Sequence, residues 1–252
     1  MNAIISYSPP AASQAIIQCL LQDELAGKTI LDVGAGEGFF LHALENSLAA
    51  RGMENQDLQF YACDLNPHLF KYPRIECQPA NLDHPLPYPD EAFDDVVSIE
   101  VIEHLENQFA FVRELVRITK PGGKIFVTTP NLLNINSRLR SFFSGFALLY
   151  GPLPIQNKNE IHTTGHIHPI GLYYLYYIFA QCGLGSITIY PDRLKKSSQA
   201  LSCLFYPWIV ARWFWYLKKL QRKNPIVYQE NCPVLQEINS WKILCSRTLV
   251  IS

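Results

Sequence analysis

The sequence has seven scattered cysteines (Cys19, Cys63, Cys77, Cys182, Cys203, Cys232, Cys245) and no Cys-x-x-Cys pair. An odd number without short spacing favours neither a disulfide framework nor a zinc ribbon, and it predicts reduced, mostly buried thiols. Charge is scarce too. Asp, Glu, Lys and Arg make up 17% of the 252 residues, against roughly 25% in an average soluble protein. No sign dominates, because 21 basic residues face 22 acidic ones for a net −1, which excludes a protein that neutralises many phosphates along a nucleic acid. No basic n-region opens the chain and Ala3-Ile4-Ile5 is far too short for a signal core, so a cytoplasmic protein is expected. The uncharged stretch 169–191 is split by Gly183 and Gly185. It reads as a helix over 172–182 and a β-rich run over 187–190, not as a membrane span.

Apolar residues, by contrast, are abundant at 48%, with 14 Phe, 13 Tyr and 4 Trp. Basic residues are unevenly placed: eight fall between Arg193 and Lys223, where there is no acid. The rest of the chain sets 13 basic against 22 acidic residues and stands at −9.

Short apolar runs alternate with helical patterns over the first 130 residues or so, which predicts parallel strands joined by crossover helices. Strands are expected at 28–33, 58–63, 74–78, 93–99 and 124–129. A helix with Phe40, Leu44 and Leu48 on one face follows the first, and one with a Phe109, Val112, Val116 stripe precedes Pro121-Gly122-Gly123. The run 93–99 lacks alternation after Asp95, as expected of a strand buried on both faces. From Asn131 the pattern lapses for about forty residues, so 131–168 reads as an insertion, helical to about 146 and loop or lid beyond. Residues 246–251 read as a closing strand.

The sharpest motif is Asp32-Val33-Gly34-Ala35-Gly36-Glu37-Gly38, between a strand and a helix. Glycines there let the backbone approach a ligand closely, and the helix start beyond offers unpaired N–H groups. The third glycine of a dinucleotide fingerprint would fall at Phe39, so that fingerprint fails, and no Gly-Lys-Ser/Thr triphosphate loop follows. Asp64 ends the second strand beside this turn. It can accept from both hydroxyls of a ribose, although an Asp after a strand can equally cap its own loop.

Taken in order, Asp32-x-Gly34-x-Gly36-x-Gly38, Asp64, Asn81-Leu82-Asp83, Phe93 to Leu105 with Ser98, Glu100, Glu103 and His104, and Lys120-Pro121-Gly122-Gly123 resemble the motifs of class I S-adenosylmethionine-dependent methyltransferases. The resemblance implies a single domain over 1–252: a doubly wound, Rossmann-like α/β fold with a seven-stranded, mostly parallel sheet, an antiparallel last strand and helical insertions. It also implies that Gly34, Ala35, Gly36 and Gly38 pass under the methionine and ribose of the cofactor S-adenosyl-L-methionine, which leaves as S-adenosyl-L-homocysteine. Asp32 would order the methionine amino end. Asp64 would hold the ribose diol, Asp83 would accept from the adenine amine, Leu82 would pack on the ring, and Leu65 and Asn81 would line the cofactor site. Ser98 and Glu100 would face the methyl. Glu103 and His104 are placed in the acceptor pocket, although Glu103 near a helix start can serve the helix dipole alone.

Methyl transfer from a sulfonium needs alignment and exclusion of water, with a base only where the acceptor loses a proton. His166 and His168 are the catalytic candidates, on one side of an extended segment and just before the helix that precedes the sixth strand, although such histidines can equally serve as plain loop anchors. Asn131 and Tyr150 join the acceptor pocket on position alone. A metal site of His162, His166 and His168 is disfavoured because Glu160 is the only carboxylate near them in sequence, and no metal is expected.

The insertion over 193–243 is basic and aromatic. Trp208, Trp213 and Trp215 lie at 200–217 between basic flanks, a composition that suits contact of 200–223 with a membrane surface, or a helical cover with its aromatics inward. The expected protein is an enzyme that methylates a small or lipid-linked acceptor, at oxygen by superfamily precedent, and that sits in the cytoplasm or on the inner face of a membrane. A nucleotide-dependent oxidoreductase, and a catalytically silent scaffold subunit, are the rivals.

Overall fold

The computed structural model describes residues 4–53, 57–156 and 165–252. Strands β1 (Thr29–Val33), β2 (Gln59–Asp64), β3 (Cys77–Pro79), β4 (Phe93–Ile99), β5 (Thr119–Pro130), β6 (Ile189–Pro191) and β7 (Thr248–Ile251) form one sheet in the order β3-β2-β1-β4-β5-β7-β6. Pairs from β3 through β5 are parallel. The last strand, β7, runs antiparallel to both β5 and β6. Strand order reverses between β1 and β4, and in open α/β sheets ligands bind outside the carboxyl ends at such a switch point.

Successive side chains of a strand point to opposite faces, and the core divides on that period. Leu31, Val96, Ile125, Val127, Leu249 and Ile251 pack on one face with α3 (Gln108–Ile118), α5 (Leu172–Gln181) and α8 (Trp241–Cys245). Ile30, Val97, Phe126 and Val250 pack on the other with α1 (Pro10–Leu20) and α2 (Phe39–Ala49).

Three details differ from expectation. Helix α1 was not anticipated, yet Pro10 opens it and Ala12, Ile16, Ile17 and Leu20 are its buried face. The buried line of α3 is Phe111, Val112, Leu115 and Ile118, one step round from the expected stripe, with Phe109 left exposed. Strand β5 begins five residues early, because Thr119 already pairs with Phe93 and Lys120 to Gly123 bulge out before pairing resumes at Asp95 and Lys124.

After β5 come α4 (Ile135–Ser144) and then, beyond β6, α6 (Lys196–Lys223) and α7 (Pro225–Glu237). Ser198 and Ser202 are the buried residues of the 28-residue α6. No helix among the described residues is long and apolar enough to cross a membrane.

Candidate active site at the carboxyl end of the sheet

The chain leaves β1 through a turn in which Gly34 and Gly38 have φ of +77° and +86°, the left-handed region that strains any side chain. A Cβ on Gly34 would also collide with Val101, and one on Gly38 with Phe70 and Tyr72. The turn satisfies its own amides. Gly34 and Ala35 donate to the Cys63 carbonyl (2.8 and 3.2 Å), and Gly38 donates to Ala35 (2.8 Å). The amide of Gly36 donates to Asp64 Oδ2 (2.9 Å), while Asn66 N–H donates to Oδ1 (2.8 Å). Asp64 is therefore a loop-capping residue and the partner of the glycine turn together. Each of its oxygens accepts one hydrogen bond and keeps capacity for another. Helix α2 starts without a side-chain cap, so its first-turn amides are free for a polar ligand.

Asp32, Gly34 and Gly36 line a cleft with Tyr7, Phe39 and Ile99. Asp32 is buried, and burial, followed by the charge of Asp64, pushes its pKa up to about 8. Leu65 is exposed at the rim, and Leu82 packs into the core. Asn81 Oδ1 accepts from the Asp83 amide (3.1 Å). Asp83 Oδ1 is already committed to the amides of Glu106 and Asn107 at the start of α3 (2.9 and 3.5 Å), which leaves Oδ2 for a ligand.

Beyond β4 the polar groups are buried with few partners. Glu100 carries a φ of +56°. Its amide is held by the Thr128 hydroxyl at 3.0 Å, and its Oε1, like the Ser98 hydroxyl, is buried without a hydrogen-bond partner. Burial raises the Glu100 pKa to about 7 despite Arg247. Glu103 is 0% exposed, neither of its carboxylate oxygens has a hydrogen-bond partner, and burial plus the Glu100 charge raise its pKa well above the usual range. The His104 and His166 rings meet edge to face with centroids 4.8 Å apart. Tyr150 flanks His166 at 5.1 Å, its hydroxyl also buried and unpartnered. Burial lowers the pKa of both histidines.

Two expected residues do not join this group. His168 is exposed and braces the loop: its Nδ1 lies 2.8 Å from the Leu105 carbonyl and its amide donates to Glu103 O (3.0 Å). Asn131 is buried as a clamp. Its amide nitrogen donates to Ile243 O (2.6 Å), Ser246 O and Ser246 Oγ (both 3.0 Å), and its Oδ1 accepts from Leu133 N. Both of its amide protons are committed to the fold, and one lone pair of Oδ1 remains. His162 and Glu160 lie outside the described residues.

The residues near the amino terminus were missed. Ile5 N–H (2.7 Å), Tyr7 O–H (3.1 Å) and Lys71 Nζ (2.7 Å) converge on the Glu37 carboxylate, so the 5–8 segment lies beside the glycine turn. A Glu within the turn was the available signal. A cavity of about 830 Å³ lies elsewhere. Asp23, Asp90, Lys120, Gly123 and Tyr190 line it at the opposite end of the sheet, away from every residue above.

Residues 31–127 match the family described as "Methyltransferase domain". A "Probable S-adenosylmethionine-dependent methyltransferase" of Mycolicibacterium smegmatis is 34% identical over 116 residues, 46% of this chain and 43% of that protein. The mitochondrial ubiquinone biosynthesis O-methyltransferase of Rattus norvegicus is 34% identical over 125 residues, 48% and 36% of the two chains. The matched stretch thus spans less than half the length of these relatives. Among solved structures, the fold is similar to S-adenosylmethionine-dependent methyltransferases from Archaeoglobus fulgidus (TM-score 0.56, 14% identity, 94% of this chain and 90% of that one) and Mesorhizobium loti (0.53, 14%, 95% and 96%). Residues 31–127 are thus similar to a methyltransferase domain, and over most of the chain the fold is similar to that of these structures.

Proposed function

We propose that this chain binds S-adenosyl-L-methionine in the cleft between the glycine turn and Asp64 and transfers its methyl to oxygen of a small or lipid-linked acceptor. The acceptor would sit at the Glu100, Glu103, His104, His166 and Tyr150 end. The hydrogen bond from Gly36 to Asp64 carries this reading, because it holds a carboxylate with spare acceptor capacity at the edge of a turn open to a nucleoside. Oxygen as acceptor atom is supported by the O-methyltransferase relative and by buried carboxylates suited to a hydroxyl. Phe39, in place of a third fingerprint glycine, counts against an oxidoreductase. Intact Gly34, Gly36, Asp64 and Asp83 count against a silent scaffold.

Binding is read by calorimetry with S-adenosyl-L-homocysteine against NAD. The first should bind and the second should not. Asp64→Ala should weaken the first by about 1–3 kcal/mol, the scale of lost buried hydrogen bonds. Equal affinity in wild type and variant would remove Asp64 from the ribose role. Labelled-methyl transfer to extracted lipids or to soluble metabolites then defines the acceptor class.

Membrane-surface contact through 200–223 is a second reading, favoured by one observation. Leu204, Trp208, Phe214 and Trp215 are exposed on α6, and Arg212, Lys218 and Lys219 lie over the Phe214 and Trp215 rings at 4.4 to 5.1 Å. Aromatic rings under cations suit an anionic headgroup layer. Trp213 does not belong to this face, since its Nε1 donates to the Leu235 carbonyl (3.2 Å) and ties α6 to α7.

A further inference from the structure

Glu103 is anomalous for a protein interior. A carboxylate with no exposure and no hydrogen-bond donor on either oxygen is among the most costly groups to bury, and buried carboxylates are normally paired or bound to a cation. The Thr129 and Tyr150 hydroxyls lie near it, and beside them stand two imidazoles able to present lone pairs. His104 Nδ1 lies 2.8 Å from the Gly165 carbonyl. A carbonyl can only accept, so Nδ1 carries the proton and Nε2 presents its lone pair. A backbone carbonyl holding the outer ring nitrogen is the usual support of a metal-binding histidine. The Nδ1 of His166 is buried and unpartnered. One ligand atom from each of Glu103, His104 and His166 can be chosen so that all three lie within 4.8 Å of one another.

We infer that Glu103, His104 and His166 form a site for one divalent transition cation, with Glu100 beside it, at the acceptor end of the cleft. Donors about 2.1 Å from one ion lie at most about 4.2 Å apart, so movements of a few tenths of an ångström per ligand close the site. Two imidazoles and a carboxylate suit Zn²⁺, Fe²⁺ or Mn²⁺ better than Ca²⁺ or Mg²⁺, which prefer oxygen throughout. The carboxylate that the histidine run lacks in sequence comes from more than sixty residues away, across the sheet end. Glu103 leaves β4 on the Ile102–His104 turn, and His166 returns just before α5.

Three protein ligands leave coordination positions open, and a cation there favours the ionised form of a hydroxyl. This use of the site rests on the methyl-transfer reading, whereas ion binding does not. In that use the acceptor hydroxyl gives its proton to solvent. The oxygen forms a bond to the methyl carbon as the carbon–sulfur bond breaks, and the electron pair stays on sulfur in S-adenosyl-L-homocysteine.

The test is calorimetric titration of the chelator-stripped full chain with Zn²⁺, Mn²⁺ and Mg²⁺, with Mn²⁺ uptake also followed by electron paramagnetic resonance. One Zn²⁺ or Mn²⁺ per chain is expected, and Glu103→Gln and His166→Ala should each weaken binding at least about tenfold. Glu103→Gln keeps the shape of the side chain, and retention of its fold is verified by circular dichroism. His84→Ala, at an exposed histidine, should bind as wild type does. No uptake by wild type, or undiminished uptake in both ligand variants, overturns the site. Titration of the same samples with S-adenosyl-L-homocysteine keeps the two ideas apart. Its binding without ion uptake ends the cation site and leaves the cofactor reading, and the reverse outcome does the opposite.

Discussion

The Gly36 amide donates to Asp64 Oδ2 at 2.9 Å across 28 residues of sequence, so the first two strand ends of the sheet are held by the two residues on which a nucleoside reading depends. An amide bonded to a carboxylate also orients it. Asp64→Asn tests orientation against charge. It retains an acceptor oxygen and should lose less affinity for S-adenosyl-L-homocysteine than Asp64→Ala. Equal losses would mean that the carboxylate charge itself matters.

Asp32 sets a pH dependence. Its pKa stands at about 8 in the folded chain against 3.8 for the free side chain, so between those values the folded state holds a proton that the unfolded state has released. Stability from this group is therefore lost as pH rises through that window, by at most about 1.4 kcal/mol per unit. Urea denaturation of wild type and Asp32→Asn at pH 5 and pH 8 reads it. The variant should gain on wild type at the higher pH, and a constant difference would refute the shift. If Asp32 receives the methionine ammonium, cofactor binding ionises it and releases a proton near pH 7, seen as a binding enthalpy that depends on the buffer.

The amino-terminal segment gives a kinetic expectation. Tyr7 lies against Gly36, where an added Cβ would stand 3.2 Å from its ring, and Glu37 holds Tyr7, Ile5 and Lys71 in place. Glu37→Ala frees all three. S-adenosyl-L-homocysteine should then leave severalfold faster in stopped-flow displacement, and protease cleavage near Tyr7 should speed up. Unchanged rates of both would show that the segment does not cover the cleft.

Strand positions were legible because two-face burial writes itself as uninterrupted apolar runs such as 93–99, and the glycine turn was legible because positive φ demands glycine. The α1 helix was readable from Ala12, Ile16, Ile17 and Leu20, but it carries no chemistry and precedes the motif. The assembly of Glu103 with His166 was not readable, since it depends on the path of the chain after β5, where local pattern lapses. His168 stands at a bend in the same way, its ring at the Leu105 carbonyl and its own carbonyl accepting from the Gln108 side-chain amide at 3.3 Å.

Asn131 separates architecture from chemistry. Removing its side chain strands the acceptors of Ile243 and Ser246 in the core, a loss of about 1–3 kcal/mol. Asn131→Ala should lower the urea midpoint by that amount while the affinity for S-adenosyl-L-homocysteine holds. A stable variant with failed methyl transfer would restore Asn131 to the acceptor pocket.

The surface of α6 supplies the last expectation. Trp208 is 76% exposed and Trp215 53%, and neither has a hydrogen-bonded role in the fold like that of Trp213, so Trp208→Ala/Trp215→Ala should leave the melting temperature unchanged. Wild type should co-sediment with vesicles containing anionic lipid, and less so as salt rises, because the cations over the rings act through a screened field. The double variant should stay in the supernatant. If wild type also fails to sediment at low salt, the exposed face does not meet a membrane, and analytical ultracentrifugation at rising protein concentration would show whether a second copy of the chain covers it.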